Sequence, residues 1–280
     1  MSGEILVLKN IPKGVFMDIA TIIGLVLGIG LIGGSMFLAG LSYGLSIANF
    51  WNLESMMIVL GGTLSATAIA FRLNEVKRVF GLIGFVFKKP AFELGKVVDD
   101  IVALGEAYRK DRQSLEQQAS TLRNNFLKDG VVFITQGVSL DDLKEMMSTR
   151  EEYRERREAN EAGLMKTLGT YSPAFGMVGT LIGLIMMLLG MGSSEGGDMA
   201  AQLGTSMSIA LITTFYGAVL ANLLFLPFAE KITSRNKENT VCGELIIEGL
   251  CLIHQKKHPI VIRDILNSYI PPSDRKASEE

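Results

Sequence analysis

Long uncharged, apolar runs alternate with charged stretches along this chain. Four runs contain no Asp, Glu, Lys or Arg: residues 19–53, 55–71, 167–194 and 199–229, with 35, 17, 28 and 31 residues. A helix that crosses a bilayer needs about 20 mostly apolar residues, with a range of about 17–25. Four such runs are more than the core of a soluble protein explains. We therefore predict four transmembrane helices, near residues 19–41, 53–71, 170–191 and 203–228.

The charged stretches between these runs are also predicted to be helical. Residues 73–88 continue from the second span, and residues 92–108 carry apolar side chains at helical spacing of three and four. Ser139 and Asp142 fit a capping pattern, which opens a long charged helix that runs into the third span. Only the short run 131–135 has strand character. The predicted fold class is all-α: a polytopic membrane protein with four transmembrane helices and a large helical cytoplasmic region.

The distribution of Lys and Arg predicts the orientation of the chain. Seventeen of the 27 lie in residues 72–169, eight lie after residue 228, and two lie in the first 18 residues. The positive-inside rule then places both termini and the middle segment in the cytoplasm. The predicted domains are a cytoplasmic extension (1–16), transmembrane helices 1 and 2 (17–71), a cytoplasmic helical domain (72–169), transmembrane helices 3 and 4 (170–228) and a cytoplasmic helical tail (229–280). Met17 is an alternative start, and residues 1–16 carry no predicted role.

Composition and motifs exclude several classes of function. Hydrophobic residues make up 48% of the chain, charged residues 20%, and the net charge is −2, so we predict no nucleic-acid partner. The sequence contains no phosphate-binding loop and no protease or hydrolase motif, so we predict no enzyme. Cys242 and Cys251 are interpreted as reduced packing residues. His254 and His258 are interpreted as surface residues, because no acidic or Cys partner is close in sequence.

The predicted spans are rich in small and hydroxyl side chains. Gly24 with Gly28, Gly30 with Gly34, and Gly179 with Gly183 have the spacing that lets helices pack closely. No Asp, Glu, Lys, Arg or His lies at depth in any span, although ion-coupled transporters usually keep such a group there. A titrating carboxylate must therefore come from another subunit if the protein moves ions. The third and fourth spans carry hydroxyl oxygens that could coordinate a cation. The alternative is that these hydroxyls only donate hydrogen bonds to carbonyls of their own helix. The residues that carry them are Thr180, Ser206, Ser208, Thr213 and Thr214.

Three stretches resemble one family of membrane proteins. They are MDIATIIG at residues 17–24, YSPAFGMVGTLIGL at 171–184, and ALITTFYGAVLAN at 210–222, the last followed by LFLPFAE at 224–230. These sequences resemble MotA/PomA-type flagellar motor stator subunits of the MotA/TolQ/ExbB superfamily. The resemblance covers about residues 17–270, and the topology of two plus two spans agrees with it independently.

The resemblance implies a partner, a location and a mechanism. Such subunits form a ring, expected to be a pentamer, around two copies of a MotB/PomB-like single-span subunit that supplies the intramembrane Asp and grips peptidoglycan. Ion flow turns the ring in the bacterial inner membrane and generates torque on a rotor switch protein of the FliG type. No cofactor is implied, only the transported cation.

The resemblance also implies roles for particular residues. Pro173 and Pro227 match the family's functional prolines, which act as kinks or hinges. Thr180, Thr213 and Thr214 match the sodium-driven branch, so sodium is favoured and the proton is the alternative. The rotor contact corresponds to Arg109, Lys110, Arg112 and Glu116. This segment departs from the family pattern, because its spacing is one residue shorter and charge replaces the usual Gly.

Two other functions stay open on the sequence alone. An ExbB/TolQ-like or gliding-motility energiser would use the proton motive force, but the ExbB/TolQ group normally has three spans and an N-terminus outside. A membrane scaffold that conducts nothing is the other alternative.

Overall fold

The computed structural model describes residues 18–44, 46–88, 93–193, 199–272 and 275. Those residues form helices and connecting turns, and they contain no β-strand. The all-α fold class is therefore confirmed. The predicted extension 1–16 and the alternative start Met17 lie outside the described residues.

Four helices are long and apolar enough to cross a membrane, which confirms the predicted number. The first is α1 (Ile19–Tyr43). The second is composite and follows a 3-10 turn at Ile47–Phe50. Its parts are α2 (Leu53–Met56), a π-helical segment (Met57–Gly61) and α3 (Gly62–Ala70).

The third and fourth candidate spans are parts of much longer helices. The third lies in α8 (Leu140–Ser193), which is 54 residues long. The fourth combines α9 (Met199–Val219), a π-helical segment (Leu220–Phe225) and the start of α10 (Leu226–His254). The remaining helices are α4 (Leu73–Val86), α5 (Leu94–Lys110), α6 (Arg112–Thr121), α7 (Asn125–Thr135), α11 (Pro259–Leu266) and a 3-10 turn (Asn267–Tyr269).

The start of α8 confirms the predicted cap. The Asp142 backbone N–H donates to Ser139 Oγ at 3.2 Å, and Ser139 Oγ donates to Asp142 Oδ2 at 2.6 Å. The strand that was predicted at residues 131–135 is wrong, because these residues form the last turns of α7. Asn124 Oδ1 accepts from the backbone of Leu127 at 3.1 Å and so caps that helix. The apolar side chains of α7 then recur at helical spacing on one buried face.

The chain divides into two compact units. Unit 1 comprises the described residues of Met1–Lys89 and Asn160–Ile232. Its buried core joins α4, α8 and α10, and the Phe87 and Phe228 rings meet edge to face with centroids 5.8 Å apart. The Asp18 backbone N–H donates to Phe87 O at 2.9 Å, and the Asp18 carboxylate pairs with Lys231. These contacts attach the beginning of α1 to two other elements of unit 1.

Unit 2 comprises the described residues of Pro90–Ala159 and Thr233–Glu280. Its core is larger and draws aliphatic side chains from α5, α6, α7, α8, α10 and α11. Arg154 binds Glu151 and Glu158 in this unit, and Glu151 is buried. A Cβ at Gly243 would lie 2.3–2.6 Å from the Glu151 carboxylate, so this glycine makes room for the buried charge.

Candidate functional site

Small residues bring the third and fourth spans into close contact. A Cβ at Gly179 would lie 2.4 Å from Thr213 Cβ, and a Cβ at Gly183 would lie 2.7 Å from both Ala210 Cβ and Ser206 O. The predicted packing role of this glycine pair is thus evident in the structure. Gly28 packs against Leu223 in the same way. Gly24, Gly30 and Gly34 have no described atom within 4 Å of an added Cβ.

This close packing assembles four oxygen atoms from α8 and α9. The Oγ1 atoms of Thr180 and Thr214 are 2.5 Å apart. Thr180 Oγ1 also lies 3.1 Å from Gly176 O and 3.2 Å from Ala210 O. Thr214 Oγ1 lies 3.3 Å and 3.4 Å from the same two carbonyl oxygens. We call these four groups the oxygen cluster. Thr214 is exposed and Thr180 is partly exposed, so the cluster opens on the surface of unit 1.

Thr213, although adjacent in sequence, points into the interior. Its side chain is fully buried and donates to Ile209 O at 3.0 Å or Ala210 O at 2.8 Å. It also fills the space that Gly179 leaves. The structure therefore brings Thr180 and Thr214 together and places Thr213 behind them as a packing residue.

The chemistry available to the oxygen cluster is limited to coordination and hydrogen bonding. Hydroxyl and carbonyl oxygens are hard ligands of the kind that alkali and alkaline-earth cations prefer. No Asp, Glu, Lys, Arg or His lies at the depth of Thr180 or Thr214 in either helix. The cluster can offer oxygens to a cation, but it cannot accept and release a proton at neutral pH.

The two prolines lie at different kinds of helix irregularity. Pro173 is inside α8 and lacks the N–H that would bond to Gly169 O. The Pro173 backbone packs closely against Gly217, whose added Cβ would lie 3.2 Å from Pro173 Cα. Pro227 follows the π-helical segment Leu220–Phe225. A wider π turn accommodates the missing N–H, and such turns mark bends in helices.

The predicted rotor-contact residues lie together at the junction of α5 and α6. Arg109 and Lys110 are exposed in the last turn of α5. Asp111 caps α6 by accepting from the Ser114 backbone at 2.6 Å, and the Ser114 hydrogen bonds lower the pKa of the Asp111 carboxyl. Arg112 pairs with Glu116, with 3.5 Å between Nε and Oε1. Two of the four predicted contact residues are thus partners of each other.

Several residues near the oxygen cluster were not predicted from the sequence. Tyr216 Oη donates to Phe50 O at 2.5 Å and accepts from the Asn52 backbone N–H at 3.2 Å, so it ties the beginning of the second span to α9. Ser55 Oγ donates to Ile209 O at 3.4 Å. Buried hydroxyls recur on one face of the second span at Ser55, Thr63 and Thr67. They are eight and four residues apart, and residues four apart lie on the same face of a helix, so this spacing is a sequence signal that could have identified the face.

The thiols and imidazoles lie outside the oxygen cluster. Cys242 and Cys251 are buried, in agreement with a packing role. Burial raises the pKa of the Cys242 thiol to about 11. His254 is partly buried against Val138 O at 2.9 Å, so it is not the surface residue that was predicted. His258 is exposed and caps α11.

Comparisons with known proteins agree in sequence and in structure. The model of the MotA/TolQ/ExbB proton channel family matches residues 118–242. Motility protein A of Borreliella burgdorferi is 32% identical over 92% of this chain and 96% of its own length. Chemotaxis protein PomA of Vibrio alginolyticus is 30% identical over 92% of this chain and 98% of its own length. The flagellar MotAB stator complex from Bacillus subtilis matches with a TM-score of 0.80 and 28% identity, over 91% of this chain and 96% of that chain.

Proposed function

Because this chain belongs to the MotA/TolQ/ExbB proton channel family, we propose that it is the A subunit of a flagellar stator. The relatives that match along nearly the whole chain are named Motility protein A and PomA. Members of this family are channel components, so the protein is not an enzyme. It is a multi-pass protein of the inner membrane, in which four candidate spans form the membrane part.

The partner in this proposal is a MotB/PomB-like subunit with a single span. The likeness to a MotAB complex supports a partner of that kind and a multimeric assembly. The lack of any Asp, Glu, Lys, Arg or His at depth supports a partner that supplies the intramembrane Asp. We propose five copies of the chain around two copies of the partner, with both termini in the cytoplasm.

The coupling ion in this proposal is sodium, with the proton as the alternative. The oxygen cluster is the observation that carries it. Sodium must be held by oxygen ligands, whereas a proton needs only the partner's carboxylate. Thr180 and Thr214 present two hydroxyls beside two carbonyls on a surface that is open to a partner helix. Thr213 supports that arrangement by packing rather than by coordination.

The remaining sites have mechanical roles in this proposal. Pro173 and Pro227 act as hinges, because each interrupts the hydrogen-bond ladder of a span. Arg109, Lys110, Arg112 and Glu116 contact the rotor protein of the FliG type. Exposed charge pairs are individually weak, so they can steer a moving partner and release it.

The test is swimming speed in the source organism, with the gene deleted and then restored, while sodium is varied at fixed pH. We expect paralysed flagella without the gene and a restored speed that rises with sodium. A restored speed that does not depend on the sodium concentration would indicate a proton-driven stator. Normal swimming without the gene would favour an energiser of another system or a non-conducting scaffold.

Single variants sharpen the test of the coupling ion. We expect Thr214→Ala to raise the sodium concentration for half-maximal speed about tenfold, which corresponds to about 1.4 kcal/mol of binding free energy. Thr214→Ser keeps the hydroxyl and should retain most of the sodium response. Thr205→Ala is a matched control, because Thr205 is exposed on α9 and its hydroxyl donates to Ala201 O of its own helix at 3.0 Å. An equal effect of the Thr205 and Thr214 variants would contradict a role in coordination.

A further inference from the structure

A basic turn joins α10 to α11 in unit 2. Gln255, Lys256, Lys257 and His258 are all exposed there. The Lys257 backbone N–H donates to Leu252 O at 3.1 Å, and the Lys256 N–H donates to Ile253 O at 2.8 Å. This pair of bonds is the Schellman pattern, which fixes the backbone at a helix end.

Lys256 occupies the left-handed position of that pattern, with φ of 54°. Glycine, or sometimes asparagine, is the usual residue there, because a Cβ is disfavoured in this conformation. Here a long cationic side chain occupies the position. It is the one described residue other than glycine with positive φ. The turn therefore presents its charge from a fixed backbone.

The turn lies beside the predicted rotor-contact segment. Lys256 Nζ lies 5.6 Å from the centre of the Tyr108 ring, which is within cation–π range. Tyr108 directly precedes Arg109 and Lys110 at the end of α5. α11 packs along α5, since a Cβ at Gly105 would lie 2.8 Å from Ile262, and Arg263 pairs with Asp99 at 2.8 Å. The end of α5 and the beginning of α11 thus share one end of unit 2.

Most of the described charged side chains at this end of unit 2 are basic, and only some of them form ion pairs with described residues. Arg112 is paired with Glu116, and Asp111 is engaged by Ser114. Four exposed cations form no ion pair with another described residue: Arg109, Lys110, Lys256 and Lys257. The further exposed acids of the last turns of α5 and of α11 are Glu106 and Asp264. Such a surface favours an acidic partner.

We propose that Lys256 and Lys257 form a second half of the rotor-contact surface and bind an acidic face of the rotor protein together with Arg109 and Lys110. This inference rests on the proposed function, because it assigns additional residues to the same partner. The two basic segments come from helices far apart in sequence. The rotor would then contact a surface formed by α5 and the α10–α11 turn, rather than one loop.

Charge reversal in the full-length chain, produced with its partner subunit, tests the proposal. We expect Lys256→Glu combined with Lys257→Glu to weaken binding to the purified rotor protein about two- to fivefold for each ion pair lost. The difference between wild type and variant should shrink at high salt, because screening weakens exposed pairs. Swimming under load should slow while the amount of protein in the membrane stays unchanged.

Two further variants separate the possible causes. Lys144→Glu combined with Lys237→Glu makes the same change at exposed positions elsewhere in unit 2 and should leave rotor binding unchanged. Arg109→Glu combined with Lys110→Glu tests the original segment. If that variant has no effect, the proposed rotor contact itself is wrong. If it weakens binding and the Lys256 and Lys257 variant does not, only the second half of the surface is overturned.

A photo-crosslinking residue at position 257 identifies the occupant directly. We expect it to capture the rotor protein in cells, at an acidic segment of that protein. Capture of lipid alone would overturn the proposal, because it would make the turn a membrane-facing basic patch. Capture of a second copy of this chain alone would overturn it as well.

Discussion

The reactivity of individual side chains follows from burial, and the thiols of unit 2 offer a direct test. Cys242 is buried beside Glu151, and burial, with a smaller contribution from this carboxylate, raises the pKa of the Cys242 thiol to about 11. Burial also raises the pKa of the Cys251 thiol. Because the thiolate is the reactive form, a raised pKa slows alkylation at neutral pH.

We predict that iodoacetamide at pH 8 modifies Cys242 in the folded protein on the order of 100-fold more slowly than in the unfolded chain. An ordinary thiol has a pKa of about 8.5 and is about one quarter thiolate at that pH. Mass spectrometry distinguishes the peptides of Cys242 and Cys251 and gives each rate separately. Urea-unfolded protein is the reference. Equal rates in both states would show that the packed interior does not protect the thiol.

At the residue scale the sequence identified the kinds of side chain in the oxygen cluster but not their directions. Thr213 and Thr214 are neighbours, and a helix turns by about 100° between them, so one faces the interior and the other faces outward. Which of them is buried depends on where α8 packs, which no local pattern specifies. The carbonyls of Gly176 and Ala210 could not be predicted for the same reason.

Close packing of spans three and four is a property of the elements rather than of single residues. Without a hydrophobic driving force inside a membrane, helices associate through close van der Waals contact and small residues. Gly183 lies where an added Cβ would be 2.7 Å from the Ser206 carbonyl oxygen. Backbone atoms cannot move aside as the end of a flexible side chain does.

We predict that Gly183→Val lowers the stability of the detergent-solubilised protein by about 1–3 kcal/mol, the usual cost of overpacking. The thermal unfolding midpoint should fall, and sodium-dependent swimming should be impaired because Thr180 and Thr214 separate. Gly204→Val is the control, because an added Cβ at Gly204 meets no described atom within 4 Å. An unchanged midpoint for Gly183→Val would mean that the two helices are not packed as tightly as the structure shows.

Most elements could be predicted because each has a strong local signal. The apolar runs predicted four spans, and the Ser139 cap marked the start of α8. The run at 131–135 was less clear, because five residues of β-branched and aromatic character fit either a strand or the last turns of a buried helix. The π-helical segments Met57–Gly61 and Leu220–Phe225 were not predicted. Pro227 lies just after the second segment, whereas no proline lies close to the first.

The whole molecule separates an uncharged membrane part from a charged remainder. The four uncharged runs hold the hydroxyls and the hinges, whereas the cations of the predicted rotor-contact surface lie in unit 2. An ion pathway built from the uncharged runs of this chain alone has oxygen ligands but no carboxylate. Conduction is therefore expected to be a property of the complex and not of the single chain.

We predict that the purified chain alone gives no sodium uptake in liposomes with an imposed membrane potential, whereas the chain with its single-span partner does. A charged ion in a bilayer needs a continuous set of polar or charged ligands, and the four uncharged runs supply only neutral oxygens. Replacing the partner's intramembrane Asp with Asn should abolish uptake without disrupting the complex, which gel filtration verifies. Sodium uptake by the chain alone would contradict the inference that the carboxylate comes from a partner. It would also make the oxygen cluster a complete site rather than half of one.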